Sequence, residues 1–282
     1  MIPNVAGSSP VDRPLFHRSS PLTLIQAIIL GIVQGLTEFF PISSSAHLRL
    51  TKWFLAIPDG EHLVHFDLIC HTGTLCALLI FLRKDVWTIL TNIRKMGPYF
   101  LATLPLVPAY FLLKPLRVAA SDPAYLGYAL MGTSALLFAA SRKKILIPVS
   151  LGGAATINSS HKWGHVLFIG MMQTIALIPG ISRSGSTIAA ARFCGWPWRE
   201  AARFSFLLAV PTILGGQLLE ILKGSVRESI PFACYAAGFI ASFALGLIGV
   251  RFIFWIYEIG KVRPFAWYCL GLGLFAWIAF NG

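Results

Sequence analysis

The sequence predicts an all-α polytopic membrane protein, with about six transmembrane helices and two re-entrant helical hairpins arranged as an inverted-topology repeat. Three observations lead there. The 282 residues are 56% hydrophobic and only 12% charged, where a soluble domain carries about 25% charged residues, and mean hydropathy is +0.72. Apolar runs long enough to cross a bilayer recur too often for a single oversized soluble core. Two polar islands, Gln34 to His47 and Pro179 to Thr187, interrupt that apolar background and align with each other at a fixed offset.

The elements follow in order. Arg13, His17 and Arg18 lie among Pro and Ser with no apolar core or small-residue cleavage site, so no cleavable signal is expected and the first apolar segment is retained. That segment, about residues 22–40, runs into Pro41 and Ser43, Ser44 and Ser45. Ordinary spans follow at about 66–82, 98–113 and 124–140. A second broken segment, about 163–179, runs into Pro179 and Gly180, and spans at about 203–222, 231–257 and 264–281 complete the chain. Broken helices survive at membrane depth only where they are buried in protein or line a wet cavity.

A shift of 139 residues places Gly31 on Gly170, Gln34 on Gln173, Ile42 on Ile181, Ser43 on Ser182 and Ser45 on Ser184, without a gap. Three spans separate the two islands, and an odd number inverts the second copy. The chain then reads as one integral membrane domain, with a first repeat at about 22–140 and a second at about 163–281. Paired broken helices of this kind point to a site where the repeats meet, near the membrane interior.

The net charge of +12 is distributed between apolar spans rather than over a basic face, which argues against nucleic-acid binding. With Arg183 set aside, fourteen Lys and Arg fall on one side of the six-span topology and eight on the other. The richer group includes Arg83, Lys84, Arg94, Lys95, Arg142, Lys143, Lys144, Arg192 and Arg203; the poorer includes Arg13, Arg18, Lys52, Lys223 and Arg227. The positive-inside rule places the richer side in the cytoplasm and opens the first island to the outer face. The five cysteines, Cys70, Cys76, Cys194, Cys234 and Cys269, show no paired spacing and read as small buried hydrophobes.

Charged and strongly polar side chains cost several kcal/mol in hydrocarbon, so the islands call for a functional explanation. Gln34 and Glu38 are four apart and share a helix face. One carboxylate and one amide oxygen are a weaker hard-oxygen pair than two carboxylates. Ser43 to Ser45 suit a helix N-cap on their own, but His47, three residues after Ser44, adds an acid/base group to a Ser and a Glu. In the second island Arg183 is boxed by Ser182, Ser184, Gly185, Ser186 and Thr187. Glycines, hydroxyls, helix N-terminal amides and a guanidinium together form an anion clamp.

These residues resemble the undecaprenyl-diphosphate phosphatase family, the bacterial enzymes also known as bacitracin-resistance proteins. The first signature is carried by Gln34, Glu38, Pro41, Ser43, Ser44 and His47, and the second by Pro179, Gly180, Ser182, Arg183, Ser184 and Thr187. The likeness spans nearly the whole chain after about residue 20, with Gln34 where Glu is common and Ala46 where Gly is usual. It implies six spans with two re-entrant hairpins, and hydrolysis of undecaprenyl diphosphate to undecaprenyl phosphate and inorganic phosphate. That reaction recycles the lipid carrier for peptidoglycan synthesis in the bacterial inner membrane and confers bacitracin resistance. It also implies a divalent cation, Mg2+ or Ca2+. On this reading Gln34 and Glu38 hold the metal, while Ser43, Ser182, Arg183, Ser184 and Thr187 bind the diphosphate. Ser44 or a water attacks, His47 serves as general acid or base, and the site faces the periplasm. His65, Asp67 and His71 take packing or supporting roles. The expected partners are the membrane and the lipid substrate, with a homodimer left open and no nucleic acid. The rival reading is a secondary transporter or flippase, since inverted broken helices are also the architecture of carriers.

Overall fold

The computed structural model describes residues 22–58, 63–142, 162–222 and 230–282. Residues 1–21, 59–62, 143–161 and 223–229 lie outside it, and with them the N-terminal expectation and the charges Arg13, Arg18, Lys143, Lys144, Lys223 and Arg227. The described residues are helical and the chain is a multi-pass membrane protein. Five helices are long and apolar enough to span a bilayer: α3 (Val64–Phe81), α8 (Leu126–Arg142, with a 3-10 turn at Pro123–Tyr125), α11 (Trp198–Leu222), α12 (Phe232–Ile259) and α13 (Arg263–Asn281). Trp87, Ile93, Phe100, Phe111 and Leu112 are exposed, as suits an exterior solvated by lipid tails.

Helix α1 (Leu24–Thr37) starts from a capping box, in which the Thr23 side chain accepts from the Gln26 amide and the Gln26 side chain accepts from the Thr23 amide. It stops at Glu38. The chain turns through Phe39, Phe40 and Pro41 into α2 (Ser44–Phe54), whose N-cap is Ser43. The second broken segment repeats this plan: α9 (Trp163–Ile175) stops short and turns through Gly180, which sits at φ 96°, and α10 (Arg183–Phe193) starts from the N-cap Ser182. Helix starts at 24 and 163, and at 44 and 183, preserve the offset of 139 residues seen in the sequence. Neither α1 nor α9 is long enough to cross the hydrocarbon, which requires about 20 residues.

The expected span at 98–113 is two shorter helices, α5 (Ile93–Thr103) and α6 (Leu106–Leu112), preceded by α4 (Arg83–Leu90) and followed by α7 (Lys114–Ala119). Pro105 causes the break, because it has no N–H to return to the preceding turn. Each hairpin packs on a helix from the other half of the chain, α1 on α12 and α9 on α5, while α12 also packs on α3, and α8 on α13. Small residues permit the close approaches. Gly31 and Gly35 of α1 face Gly238, Ser242 and Gly246 of α12, and Gly170 of α9 faces Ala102 of α5.

Three basic residues of the charge tally have internal duties. Lys52 is 3% exposed and pairs with Asp67 at 2.7 Å. Arg203 is paired with Asp85, and Arg192 is 4% exposed, donates to the Trp196 carbonyl and lies over the Trp198 ring. Removing these three leaves the charge bias in the same direction. Cys70, Cys234 and Cys269 are buried, Cys76 and Cys194 are partly buried, and all five are free thiols.

Candidate active site

The two helix breaks meet at one carboxylate. Glu38 closes the last turn of α1, where its amide donates to the Gln34 carbonyl, so its side chain projects at the start of the turn rather than from mid-helix. Its Oε1 accepts from the Arg183 guanidinium at 2.7 Å. Its Oε2 accepts from Ser44 Oγ at 2.7 Å and from Gln34 Nε2 at 2.9 Å, and His71 Nε2 stands 3.7 Å from the same oxygen. Glu38 is buried, and the Arg183 side chain is only 16% exposed. A carboxylate at this depth is tolerated because the cation and hydrogen-bond donors replace its hydration.

Arg183 and Ser44 arrive together because each occupies the first turn of a short helix. Ser182 Oγ accepts from the Gly185 amide at 3.0 Å and Ser43 Oγ from the Ala46 amide at 3.4 Å, and these caps fix where α10 and α2 begin. The hairpins are also tied directly, by Ser184 Oγ donating to the Phe40 carbonyl at 3.1 Å. Two helix N-termini, each with unsatisfied amides and a partial positive charge, therefore converge beside a guanidinium. That arrangement suits a polyanion such as a diphosphate. Ser43 reaches its place at φ 69°, a left-handed conformation that a residue with a Cβ adopts at a cost of about 1–3 kcal/mol. The equivalent Ser182 sits at φ −72° without that strain.

The structure sorts the residues expected from the sequence. Glu38, Ser44, Arg183 and Gln34 come together as one network. His47 does not join it. Its Nδ1 is 2.7 Å from the Ser43 carbonyl, its Nε2 is 2.7 Å from Tyr268 Oη, and its ring stacks on Tyr268 of α13. The helical turn that was expected to bring His47 to Ser44 instead carries its ring toward α13. Ser182 and Thr187 are fully internal: Thr187 Oγ1 is 2.6 Å from Ser205 Oγ and donates to the Arg183 carbonyl, so it braces Arg183 from behind rather than facing a ligand. Ser43 and Ser184 are also buried, and their hydroxyls cap α2 and join the hairpins.

Two participants, Ser205 and Tyr268, have no place in the sequence reading, and a third, His71, is expected there only in a packing or supporting role. Ser205 backs Thr187, and its carbonyl lies 3.5 Å from Arg183; Tyr268 holds His47; His71 faces Glu38. A signal for His71 existed. Asp67, His71 and Thr74 recur at helical spacing on one face of α3, and Thr74 is fully buried, so that stripe faces the bundle. Asp67 pairs with Lys52 and thereby ties α3 to α2, while the His65 Nε2 is buried without a hydrogen-bond partner.

The donor set does not suit a resident divalent cation. Among the described residues no three His, Cys, Asp or Glu side chains gather to hold an ion. Glu38 is the carboxylate of the network, and Arg183 already neutralises it at 2.7 Å. The buried Gln34 Oε1 has no hydrogen-bond partner, which is the one feature in favour of an ion. Because the amide turns its N–H toward Glu38, that oxygen is directed away from the carboxylate. A single carboxylate already paired with a guanidinium offers neither the cluster of oxygens nor the net negative charge of a dedicated protein site for a hard cation.

Residues 27–275 match the family described as bacitracin resistance protein BacA. A protein of Protochlamydia amoebophila named undecaprenyl-diphosphatase is 39% identical over 259 residues, covering 90% of this chain and 97% of its own. Proteins of the same name from Geotalea daltonii, 36% identical with 92% and 99% covered, and Korarchaeum cryptofilum, 34% identical with 90% and 98% covered, are similar along the same length. Both polar islands, the α1 and α9 breaks and the Glu38–Arg183 junction all lie within the matched residues, and the chain belongs to the bacitracin resistance protein BacA family.

Proposed function

We propose that the chain hydrolyses undecaprenyl diphosphate to undecaprenyl phosphate and inorganic phosphate, recycling the lipid carrier and so conferring bacitracin resistance. The observation that carries this reading is the Glu38 carboxylate held between Arg183 and Ser44 at the junction of two helix N-termini. Arg183 and the leading amides of α10 and α2 bind the diphosphate, and the prenyl chain lies among the apolar spans. Phosphoryl transfer depends mainly on positioning and charge stabilisation, and a guanidinium with convergent amides offers both. Ser44 Oγ is the attacking group, oriented by Glu38, and Glu38 in turn sets the guanidinium plane of Arg183. The two halves of the chain form an inverted repeat, and the site lies on the outer, periplasmic side of the bacterial inner membrane, a placement supported by the charge bias. Phosphate released from undecaprenyl diphosphate by the purified chain in detergent, with no gradient present, is the expected result. Movement of the lipid in vesicles without phosphate release would assign the chain to the carriers instead.

The divalent cation implied by the family likeness would enter with the substrate's phosphate oxygens, since Glu38, already paired with Arg183, is a poor resident ligand for it. Mn2+ added to the purified chain alone is expected to remain free by electron paramagnetic resonance. Stoichiometric Mn2+ bound without any diphosphate, and lost in Glu38→Gln, would overturn this.

A further inference from the structure

We propose that His71 is a catalytic residue of this hydrolysis, its Nε2 relaying the proton of the attacking oxygen to the departing prenyl phosphate. The inference rests on the diphosphatase reading above and deepens it. It begins with the hydrogen bond on the far side of the ring. His71 Nδ1 lies 2.7 Å from the backbone carbonyl of Asp67, one helical turn earlier. A carbonyl only accepts, so Nδ1 carries a proton, and the neutral tautomer with that bond has its lone pair on Nε2. That nitrogen faces the site, 3.7 Å from Glu38 Oε2, the same oxygen to which Ser44 Oγ donates at 2.7 Å. A gap of 3.7 Å is too long for a direct hydrogen bond. The His71 side chain is 26% exposed, so Nε2 is open to what binds beside the carboxylate oxygen that holds the Ser44 hydroxyl.

The other groups nearby are already engaged. The His47 ring has the same Nδ1-to-carbonyl bond, to Ser43, but its Nε2 lies 2.7 Å from the Tyr268 hydroxyl. Glu38 accepts from Arg183, Gln34 and Ser44. Asp67 is held by Lys52 at 2.7 Å. Arg183 cannot give up its proton.

The proton balance closes through His71. In the first half-reaction Ser44 Oγ bonds to the terminal phosphorus as the bond from that phosphorus to the bridging oxygen breaks. The hydroxyl proton, held toward Glu38 Oε2, passes by way of that oxygen to His71 Nε2 and from there to the departing prenyl phosphate. In the second, a water oxygen bonds to phosphorus as the Ser44 Oγ–P bond breaks, and a water proton returns to Ser44 Oγ by the same nitrogen. One water is consumed, inorganic phosphate leaves, and both side chains regain their starting state.

The test is phosphate release from undecaprenyl diphosphate by the full chain in detergent, comparing wild type with His71→Gln. Glutamine keeps a polar atom near the Nε2 position but cannot relay a proton. The expected result is a fall in kcat of about 10²- to 10⁴-fold, with KM changed by less than about threefold. His71→Gln with kcat near that of wild type, or with its whole effect in KM, would mean that the ring only fills space or binds, and the assignment falls. Should His71→Gln not fold, His71→Ala supplied with free imidazole decides the matter: concentration-dependent recovery of kcat supports the relay and no recovery overturns it. Wild-type protein that releases no phosphate overturns the diphosphatase reading itself, whereas active wild type beside an equally active His71→Gln removes only His71.

Discussion

Arg183→Ala is expected to lower phosphate release from undecaprenyl diphosphate by at least about 10³-fold, because it removes the cation aimed at the charge that develops on the transferring phosphoryl group. The same change leaves the buried Glu38 carboxylate without the cation 2.7 Å from its Oε1. Breaking one side of a buried pair costs about 3–5 kcal/mol, so a lower unfolding temperature in detergent should accompany the lost activity. Adding Glu38→Gln to Arg183→Ala separates the two effects. With no charge left to strand, the double variant should regain most of the stability and none of the turnover. If the double variant regained activity as well, Arg183 would be a structural counter-ion and the anion clamp would be lost. Arg183→Lys should fall between these, since an ammonium keeps the charge but not the planar fork that meets a carboxylate and a phosphate together.

Much of this site was legible before any coordinates. Glu38, Ser44 and Arg183 are short-range consequences of local sequence: a helix that ends at a proline-containing turn, a serine cap, and the first residue of the next helix. Caps and breaks are written within five or six residues, and the offset of 139 residues indicated that two of them belong together. What was not legible depends on which way a ring turns once helices pack. His47 lies three residues from Ser44 and was expected beside it, yet Tyr268, more than two hundred residues later, holds its ring. His71 is thirty-three residues from Glu38 and reaches it only because α3 lies alongside α1. The charge tally treats every Lys and Arg except Arg183 as a topology marker, although Lys52, Arg192 and Arg203 are held by internal partners, and such pairing is a tertiary property. The span at 98–113 was read by hydropathy, which does not register the N–H missing at Pro105.

The second large effect is expected from Gly31→Val, a change with no polar chemistry in it. A Cβ at Gly31 would stand 2.6 Å from the Gly238 carbonyl oxygen and 2.9 Å from the Ala241 Cβ on α12. The first of these is backbone, so the helices must separate. Gly170, its counterpart 139 residues on, would drive a Cβ into the backbone of Ala102 on α5, and Ala241 follows Ala102 by the same offset. Each hairpin is thus seated by a glycine against an alanine of the opposite half. Overpacking of a close contact costs about 1–3 kcal/mol, and Gly31→Val should reach the top of that range in unfolding measurements in detergent. Its effect on turnover should be larger than its effect on stability. Gly31 lies two helical turns before Glu38 on the same short helix, so α1 cannot move off α12 without carrying the carboxylate away from Arg183, and a displacement of about 1 Å is enough to cost about 10²-fold in rate. Gly132→Ala and Gly164→Ala are the controls: a Cβ at either meets nothing within 4 Å, and alanine in place of a helical glycine should leave activity unchanged while adding up to about 1 kcal/mol of stability. Gly31→Val with wild-type turnover would show that Glu38 is positioned by Arg183 and the turn alone. A loss confined to Gly31→Val and Gly170→Val would locate the rigidity of the site in the two glycine-seated hairpins, which explains why hairpins too short to span the membrane can hold a buried ion pair in register.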